Sequence, residues 1–444
     1  MMNREARFGL TTLTCVVIAS MIGSGVFTTS GFSLAALGSP ERVLIAWAVG
    51  GVIAVCGAIA YGELARRLPI SGGEYLYLSR QLHPFAGFLA GWVSLTAGFS
   101  GAIAMAAITF EAYAVPESIR PAWMVPNSVA VTAILIFGFG HAFLVKLFAA
   151  IQNTVVGIKL LALTSFLVIA AMQLTTREWH WADLNPDLPP LMSMDSITAL
   201  AGSVMWISLS YAGFNAAVYI ASEVKDPERN VPLSLWLGTT LVTVFYILLN
   251  AVFVTAVPAA EIAGQKEIAA ISAKAIGGDS LDLLMRVAIG LGTLSSVAGM
   301  IMTGPRVLSQ MADDNVFPGF FRTGRSSVSR TVLLQTIIAA ALVLVSNLRD
   351  LLGYLSTTLA ISSAVTVLTL LLPTAKSSAT SVTGGMSWCV RFCAVVYVAS
   401  TFIIALLMAR NNPKDLLGTA VTLLAGGALW LLTSASAKTQ APSP

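Results

Sequence analysis

Near the start of the chain the sequence reads Ile22-Gly23-Ser24-Gly25-Val26-Phe27, inside an otherwise hydrophobic segment of helix length. A second hydrophobic segment is interrupted about half a chain later, at Ser210-Tyr211-Ala212-Gly213-Phe214-Asn215. Glycine is a poor helix former, and the backbone groups that a break frees cannot stay unpaired in hydrocarbon. Paired breaks in corresponding halves of a chain are typical of a transporter's substrate site. The alternative is that small residues here only let helices pack closely.

The composition indicates a membrane protein. Of the 444 residues, 56% are hydrophobic and 10% are charged, whereas a soluble domain has about 25% charged residues. A span needs about 20 mainly apolar residues, and by this criterion the sequence predicts about twelve spans in an all-α integral membrane fold. The predicted spans are 9–34, 42–66, 84–113, 124–143, 149–173, 194–222, 231–257, 282–311, 328–346, 351–372, 387–410 and 415–434.

We expect a single membrane domain over residues 1–444, because no loop is long enough for an independent domain. The first five spans (about 9–173) and the next five (about 194–372) each begin with a broken helix followed by four continuous ones. Five is odd, so the second set enters the membrane from the opposite side. This parity predicts a 5+5 inverted repeat with broken helices 1 and 6 at its interface. Accessory helices follow at about 387–434.

The distribution of lysine and arginine predicts the orientation. More of them fall on the cytoplasmic side when both termini are placed there, as the positive-inside rule requires. The net charge of +4 follows from this topology and gives no reason to expect nucleic acid as a partner. The expected surroundings are the lipid bilayer.

The first break presents groups that suit the two charged ends of an amino acid. The half-helix after the break exposes backbone N–H groups of Ser24 and Gly25 at its positive end, and these suit a carboxylate. The carbonyl of Ile22 ends the preceding half-helix and suits an ammonium group. Carbonyls of Ser210 and Tyr211 offer the same at the second break. The sequence therefore predicts a site for a zwitterion.

Lys159 is the most costly residue to place, because it lies well inside the fifth span. A lysine at the centre of a span costs at least about 2.5–3.5 kcal/mol. It lies about ten residues from the cytoplasmic end, roughly 15 Å deep, which makes snorkelling difficult. Two roles stay open: its ammonium replaces a sodium ion, or it carries a coupling proton if it titrates near neutral pH.

Other functional classes have little support in the sequence. The three histidines are scattered, and no metal, nucleophile or phosphate motif predicts an enzyme, so we expect no cofactor. Cys389 and Cys393 share a helix face but suit packed thiols better than a metal, and no disulfide framework is predicted. A channel would need a re-entrant filter or rings of charge. A sensor that binds amino acids without transporting them stays open.

Four motifs carry a family resemblance. They are Ile22–Phe27, Tyr61–Leu64 with Pro69–Tyr75, Glu223–Pro232 and Ser295–Gly299. In this order and spacing the chain resembles the amino acid–polyamine–organocation superfamily, most closely its L-amino-acid-transporter-like branch, over about 1–372. The resemblance implies a LeuT-type fold and alternating access to a central amino acid site.

The resemblance also implies roles for single residues. Ser24 and Gly25 would hold the α-carboxylate, and Phe214 and Asn215 would flank the substrate side chain. Lys159 corresponds to the helix-five lysine of sodium-independent members. The predicted substrate-binding residues are Ile22, Gly23, Ser24, Gly25, Leu209, Ser210, Tyr211, Gly213, Phe214 and Asn215. The predicted coupling residues are Lys159, Ser296 on the eighth helix and Ala19, whose carbonyl is a possible second contact of the lysine.

Some positions depart from the family pattern. Leu209 stands where many relatives have an aromatic lid, Ala19 where a glycine is common, and Ala298 where asparagine is frequent. The outward loop 114–123 lacks the cysteine that bonds a heavy chain in animal relatives. We therefore expect a protein of the bacterial inner membrane that works as a monomer, without a disulfide-linked heavy chain.

The predicted function is sodium-independent amino acid transport. Neutral L-amino acids are favoured because no carboxylate lies beside either break in the sequence and no arginine marks a site for acidic substrates. Exchange is favoured over proton-coupled symport. Proton coupling and transport of cationic amino acids or polyamines are the alternatives.

Overall fold

The structure is a computed structural model that describes residues 8–185, 187–322, 325–372 and 386–439. Within these residues the chain is helical, and its one extended pairing is an isolated bridge between Phe8 and Val224. The all-α prediction is therefore confirmed.

The predicted break in the first span separates two helices. Helix α1 ends at Met21, helix α2 begins at Gly25, and the two are bent by 44°. The third predicted span is continuous but contains a π-helical segment, and a short helix, α4, occupies the connection that precedes it. The helices of this part are α1 Leu10–Met21, α2 Gly25–Leu37, α3 Pro40–Arg67, α4 Gly73–Gln81, α5 Pro84–Val93, the π-helix Ser94–Gly101 and α6 Ala102–Ala114.

The fourth and fifth predicted spans are joined. The sequence predicts them as separate spans at 124–143 and 149–173, but helix α7 runs continuously over Ser128–Met172. The intervening residues Leu144–Phe148 include no glycine or proline, so nothing in the local sequence ends the helix there. The two predicted spans are therefore parts of one helix at the level of secondary structure.

The second half also begins with a broken helix. Helix α8 ends at Ser210, and a 3-10 helix, Ala216–Glu223, follows the turn at the second break. Helix α11 begins before its predicted span and contains non-helical residues at Gly277 and Gly278. The helices of this part are α8 Met194–Ser210, α9 Pro227–Thr255, α10 Ala259–Ile262, α11 Ile268–Asp313, α12 Arg325–Val345, α13 Leu348–Leu368, α14 Trp388–Asn411 and α15 Pro413–Thr439.

Within the described ranges, 8 helices are long and apolar enough to cross a membrane, or 9 if the bent pair α1 and α2 is one span. This agrees with a multi-pass membrane protein. The count of twelve spans and the inverted repeat stay predictions.

A buried aromatic cluster supports the two breaks. Trp47 of α3, Tyr211 after α8 and Tyr246 of α9 lie with ring centroids 5.3–5.7 Å apart. The Tyr246 hydroxyl donates to the carbonyl of Met21 at 2.7 Å, and the Trp47 indole N–H donates to the Ser30 hydroxyl at 2.7 Å. The cluster therefore holds the end of α1 against α9 and the second turn of α2 against α3.

Candidate functional site

The two helix breaks, predicted to lie together, are in contact. A Cβ added to Gly25 would lie 3.0 Å from the Cα of Ser210, so only glycine fits this crossing. Gly213 has a φ of +97°, and a Cβ there would lie 2.7 Å from the carbonyl oxygen of Ser20. Both positions thus need glycine for close approach, and Gly213 also needs it for its backbone conformation.

Backbone N–H groups form the donor end of the first break. The N–H of Gly23 donates to the Met21 carbonyl at 2.8 Å, which ends the turn after α1. The N–H groups of Gly25 and Val26 lie in the first turn of α2, where a helix supplies no acceptor of its own. The Ser24 side chain makes no capping hydrogen bond to this turn. These groups suit a carboxylate.

The acceptor end of the first break already holds donors from the protein. The carbonyl of Met21 accepts the Tyr246 hydroxyl, and the carbonyl of Ile22 accepts the ammonium of Lys159. Lys159 is only 3% exposed. Because a carbonyl oxygen has two lone pairs, the Ile22 carbonyl can accept a second donor, whereas the Met21 carbonyl already accepts both the Tyr246 hydroxyl and the Gly23 N–H.

Lys159 reaches the first break past a glycine of α11. A Cβ on Gly292 would lie 2.7 Å from the Cδ of Lys159, so the lysine chain lies directly against this helix. Ser296, one turn further along, donates its hydroxyl to the Gly292 carbonyl at 3.0 Å. The hydrogen bond of Lys159 thus goes to Ile22 rather than to the predicted partners Ala19 and Ser296.

A cavity of about 670 Å³ lies beside the second break. This volume is in the range of small-molecule sites, about 300–1,000 Å³. It extends from Ser20 and Gly213 to Glu223 and Arg306. Of the predicted residues, Leu209, Gly213, Phe214 and Asn215 line it. The lining does not include Ala19, Ile22, Gly23, Ser24, Gly25, Lys159, Ser210, Tyr211 or Ser296.

The side chain of Tyr211 faces the packed interior. Its ring joins the aromatic cluster, and its hydroxyl donates to the Trp47 carbonyl at 3.1 Å. Phe214, in contrast, lines the cavity and makes edge contacts with Tyr61 and Tyr397, at centroid distances of 5.4 and 6.1 Å. Tyr211 therefore packs in the interior, whereas Phe214 forms part of the cavity wall.

The structure corrects one premise of the substrate prediction. The carboxylate of Glu74 lines the cavity and lies 3.5 Å from the amide nitrogen of Asn215, so a carboxylate does lie beside the second break. Gly72 and Gly73, with φ of 143° and 59°, turn the chain so that α4 starts at once and buries Glu74 in its first turn. The glycine pair directly before Glu74 was the only local signal for this geometry.

Contacts on the opposite side of the first break hold α2 against its neighbours. The Tyr113 hydroxyl of α6 donates to the Phe27 carbonyl at 2.8 Å. The N–H of Gly264, after α10, donates to the Gly31 carbonyl at 2.7 Å. None of these four residues lines the cavity.

The described ranges contain no group of three or more histidine, cysteine or acidic side chains that could hold a metal ion. All four cysteines are free thiols.

Apolar helices of membrane-spanning length, packed around two contacting helix breaks and a cavity, define a membrane transporter. A family model described as amino acid permease matches residues 8–414. The chain therefore belongs to the amino acid permease family, which confirms the resemblance to the amino acid–polyamine–organocation superfamily. Members of this family are transporters and not enzymes.

Similar proteins are amino acid transporters by name. The chain is 27% identical to the human "Large neutral amino acids transporter small subunit 2" over 357 residues, which cover 79% of this chain and 66% of that protein. It is 26% identical to the mouse "Asc-type amino acid transporter 1" over 375 residues, 83% of this chain and 70% of the relative. A mouse "b(0,+)-type amino acid transporter 1" is 28% identical over 268 residues, 60% of this chain and 54% of the relative. The chain thus spans about two thirds of the length of the first two.

Proposed function

We propose that the protein is a sodium-independent secondary transporter that exchanges neutral L-amino acids across the bacterial inner membrane by alternating access. The observation that carries the proposal is the contact of the two helix breaks at Gly25 and Ser210. It brings the N–H groups at the start of α2 next to the backbone turn at the second break. An amino acid needs donors for its carboxylate and acceptors for its ammonium group, and helix breaks of this kind offer both.

Lys159 supports sodium independence. Its ammonium lies on the Ile22 carbonyl, at the end of the first half-helix, where backbone carbonyls would otherwise suit a cation. A positive charge that belongs to the protein stays in place through the cycle. No ion from solution would then drive the transporter back to the other side without substrate. This favours exchange over symport.

The cavity supports alternating access. It extends to Glu223 and Arg306, which the charge distribution assigns to the cytoplasmic side. The contacts Tyr113–Phe27 and Gly264–Gly31 hold the other side of α2 against α6 and the loop after α10. We take this as the conformation that faces inward.

The substrate class is proposed from the cavity and the relatives together. The lining at the second break is uncharged over Leu209–Asn215, and a relative that is 27% identical is named for large neutral amino acids. We further propose twelve spans in two inverted repeats within one domain, cytoplasmic termini, and a monomer that needs no disulfide-linked heavy chain.

The test is uptake of labelled leucine or alanine into proteoliposomes, with and without unlabelled amino acid inside, in sodium and in choline buffer. We expect uptake only into loaded vesicles, equal in both buffers, and competition by L-amino acids. Uptake into empty vesicles would contradict exchange, and stimulation by an imposed proton gradient would favour symport. Single-channel currents would indicate a channel, and saturable binding without any flux would indicate a sensor.

A further inference from the structure

A second cleft lies between α3 and α9, away from the two helix breaks. Its volume is about 450 Å³, and its walls are formed by both helices together with Val390 of α14. None of its lining residues lines the cavity beside the second break. The α3–α9 cleft is therefore separate from the candidate substrate site.

Each of the two helices presents one continuous face to the α3–α9 cleft. The lining residues recur at positions i, i+3, i+4 and i+7 on both helices, which is the spacing of a single helix face. They are Ile59, Gly62, Glu63 and Arg66 on α3, and Arg229, Pro232, Leu233 and Trp236 on α9. On each helix an arginine and a large apolar residue thus lie two turns apart on the same face.

The two helices run antiparallel along the cleft. A Cβ on Gly62 would lie 3.0 Å from the Cα of Pro232, and a Cβ on Gly51 would lie 2.3 Å from the Cγ2 of Thr243. Moving back along α3 therefore corresponds to moving forward along α9. Both arginines consequently lie at one end of the cleft, and both large apolar residues lie about 10 Å further along.

The arginine end of the cleft carries an excess of positive charge. The carboxylate of Glu63 lies 2.8 Å from the Nε of Arg66 and 2.7 Å from the Nε of Arg67. Arg229 is exposed and belongs to none of the ion pairs between described residues. Glu228 is also exposed and does not line the cleft. Even with Glu228 counted, three arginines face two carboxylates.

The other end of the cleft is apolar and open to the surroundings of the protein. Trp236 is 42% exposed on α9, a helix long and apolar enough to cross a membrane. Ile59 and Val390 line the cleft and are partly exposed. Tryptophan is enriched where a membrane protein meets the lipid interface. An occupant of the cleft therefore meets positive charge at one end and apolar walls at the other.

An anionic phospholipid matches both ends. Its phosphate accepts charge-assisted hydrogen bonds from guanidinium groups, and its acyl chain suits an apolar wall. Arg66 uses its Nε and one terminal nitrogen on Glu63, and its remaining N–H groups can still donate. Basic pockets between membrane helices on the cytoplasmic side are typical sites for anionic head groups. A free phosphate would use the arginine end alone.

We propose that the α3–α9 cleft binds an anionic phospholipid of the inner leaflet, with its phosphate on Arg229 and Arg66 and its acyl chain along Trp236. The lipid contacts both helices at once and so stabilises the packing of α3 against α9. The choice of leaflet rests on the proposed cytoplasmic termini. The site itself does not depend on which substrate is transported.

The test measures lipid binding to the full-length protein, purified in detergent and freed of the lipid that accompanies it. Phosphatidylglycerol and phosphatidylcholine with identical acyl chains are titrated, and the bound lipids are counted by native mass spectrometry. We expect the first phosphatidylglycerol to bind at a concentration about fivefold or more lower than the first phosphatidylcholine, the contribution of one arginine near an anionic head group. Inorganic phosphate should not displace it.

Three variants separate the two ends of the cleft. Arg229→Gln removes one positive charge, and the preference for phosphatidylglycerol should fall by about fivefold. Arg80→Gln is the matched control and should keep the preference, because Arg80 is also exposed but does not line the cleft. Leu233→Trp fills the cleft, keeps both arginines and should weaken the binding of phosphatidylglycerol.

Three outcomes would overturn the proposal. Equal binding of the two lipids would show that the cleft does not recognise an anionic head group. An equal loss in Arg229→Gln and Arg80→Gln would indicate general attraction to a basic surface. Displacement by inorganic phosphate, with no effect of Leu233→Trp, would indicate a site for free phosphate. All of these measurements are made without transport, so they stand apart from the outcome of the exchange assay.

Discussion

The ammonium group of Lys159, on α7, donates a hydrogen bond to the carbonyl of Ile22, the residue that follows α1. The lysine is buried and lies against Gly292 of α11. One side chain thus connects α7 and α11 to the end of a half-helix whose last carbonyls have no partner within the helix. Any movement of α1 relative to α7 during transport has to break this hydrogen bond or move the Lys159 side chain with it.

We predict that Lys159→Met lowers leucine exchange by about tenfold or more, because it removes a charge-assisted hydrogen bond of about 1.5–3 kcal/mol at the first break. The thermal midpoint of the purified protein should not fall, since a well-packed apolar side chain can replace a buried charge at little cost. Exchange in proteoliposomes and unfolding in detergent are measured on the same preparation.

The matched control for this prediction is Ser296→Ala. Its hydroxyl donates within α11 to the Gly292 carbonyl at 3.0 Å and makes no hydrogen bond with the lysine. Exchange should therefore stay within about twofold of the wild type, a change of less than about 0.5 kcal/mol. Exchange at the wild-type rate in Lys159→Met would show that the lysine takes no part in the mechanism.

The crossing of the two breaks can be tested with a pair of glycine substitutions. Gly25→Ala places a Cβ 3.0 Å from the Cα of Ser210, so the start of α2 and the end of α8 have to separate. We expect a loss of about 1–3 kcal/mol in stability, as for other overpacked sites, together with loss of exchange. Gly23→Ala is the control, because its Cβ would meet only the Met21 carbonyl at 3.9 Å. Equal thermal midpoints for the two variants would contradict the close contact.

The sequence predicted the parts of the fold that depend on local chemistry. Glycines at 23, 25 and 213 predict where helices break, and the odd number of spans between the breaks predicts that they meet. The depth of Lys159 follows from the length of its hydrophobic segment. The division between spans four and five was placed by span length alone, and because no residue there stops a helix, the sequence did not predict the continuous helix α7.

The sequence could not predict the part of the site that is formed by residues far apart in the chain. Glu74 obtains its hydrogen bonds from residues as far as 289 positions away, at Ser363, and no periodicity joins them. For the same reason the neutral-substrate prediction overlooked a carboxylate beside Asn215. The choice of Ile22 over Ala19 as the partner of Lys159 depends on how the chain turns after α1. Helical geometry cannot predict a partner in a non-helical turn.

We predict that Tyr246→Phe destabilises the protein by about 1 kcal/mol, because the Met21 carbonyl loses one of its two donors, the hydroxyl at 2.7 Å, while the ring keeps its place in the aromatic cluster. Thermal unfolding in detergent measures the change. Tyr354→Phe is a comparable loss away from the breaks. The hydroxyl that it removes lies 2.8 Å from the Thr422 hydroxyl, between α13 and α15. Exchange should fall in Tyr246→Phe and stay unchanged in Tyr354→Phe. An equal effect of both substitutions on exchange would contradict a special role of the Met21 carbonyl.

The buried carboxylate Glu111 fastens α6 to the start of α7. Its oxygens accept the N–H groups of Asn127 and Ala130 at 2.7 and 3.0 Å, and Arg120 lies 2.9 Å away. We predict that Glu111→Ala destabilises the protein by about 3–5 kcal/mol, because it leaves a partly buried arginine and two helix-start donors unpaired. Glu117→Ala is the control, since Glu117 is 74% exposed and its pair with Lys266 contributes less than about 1 kcal/mol. Thermal unfolding of both variants at one pH measures the difference, and similar midpoints would show that Glu111 is hydrated rather than enclosed.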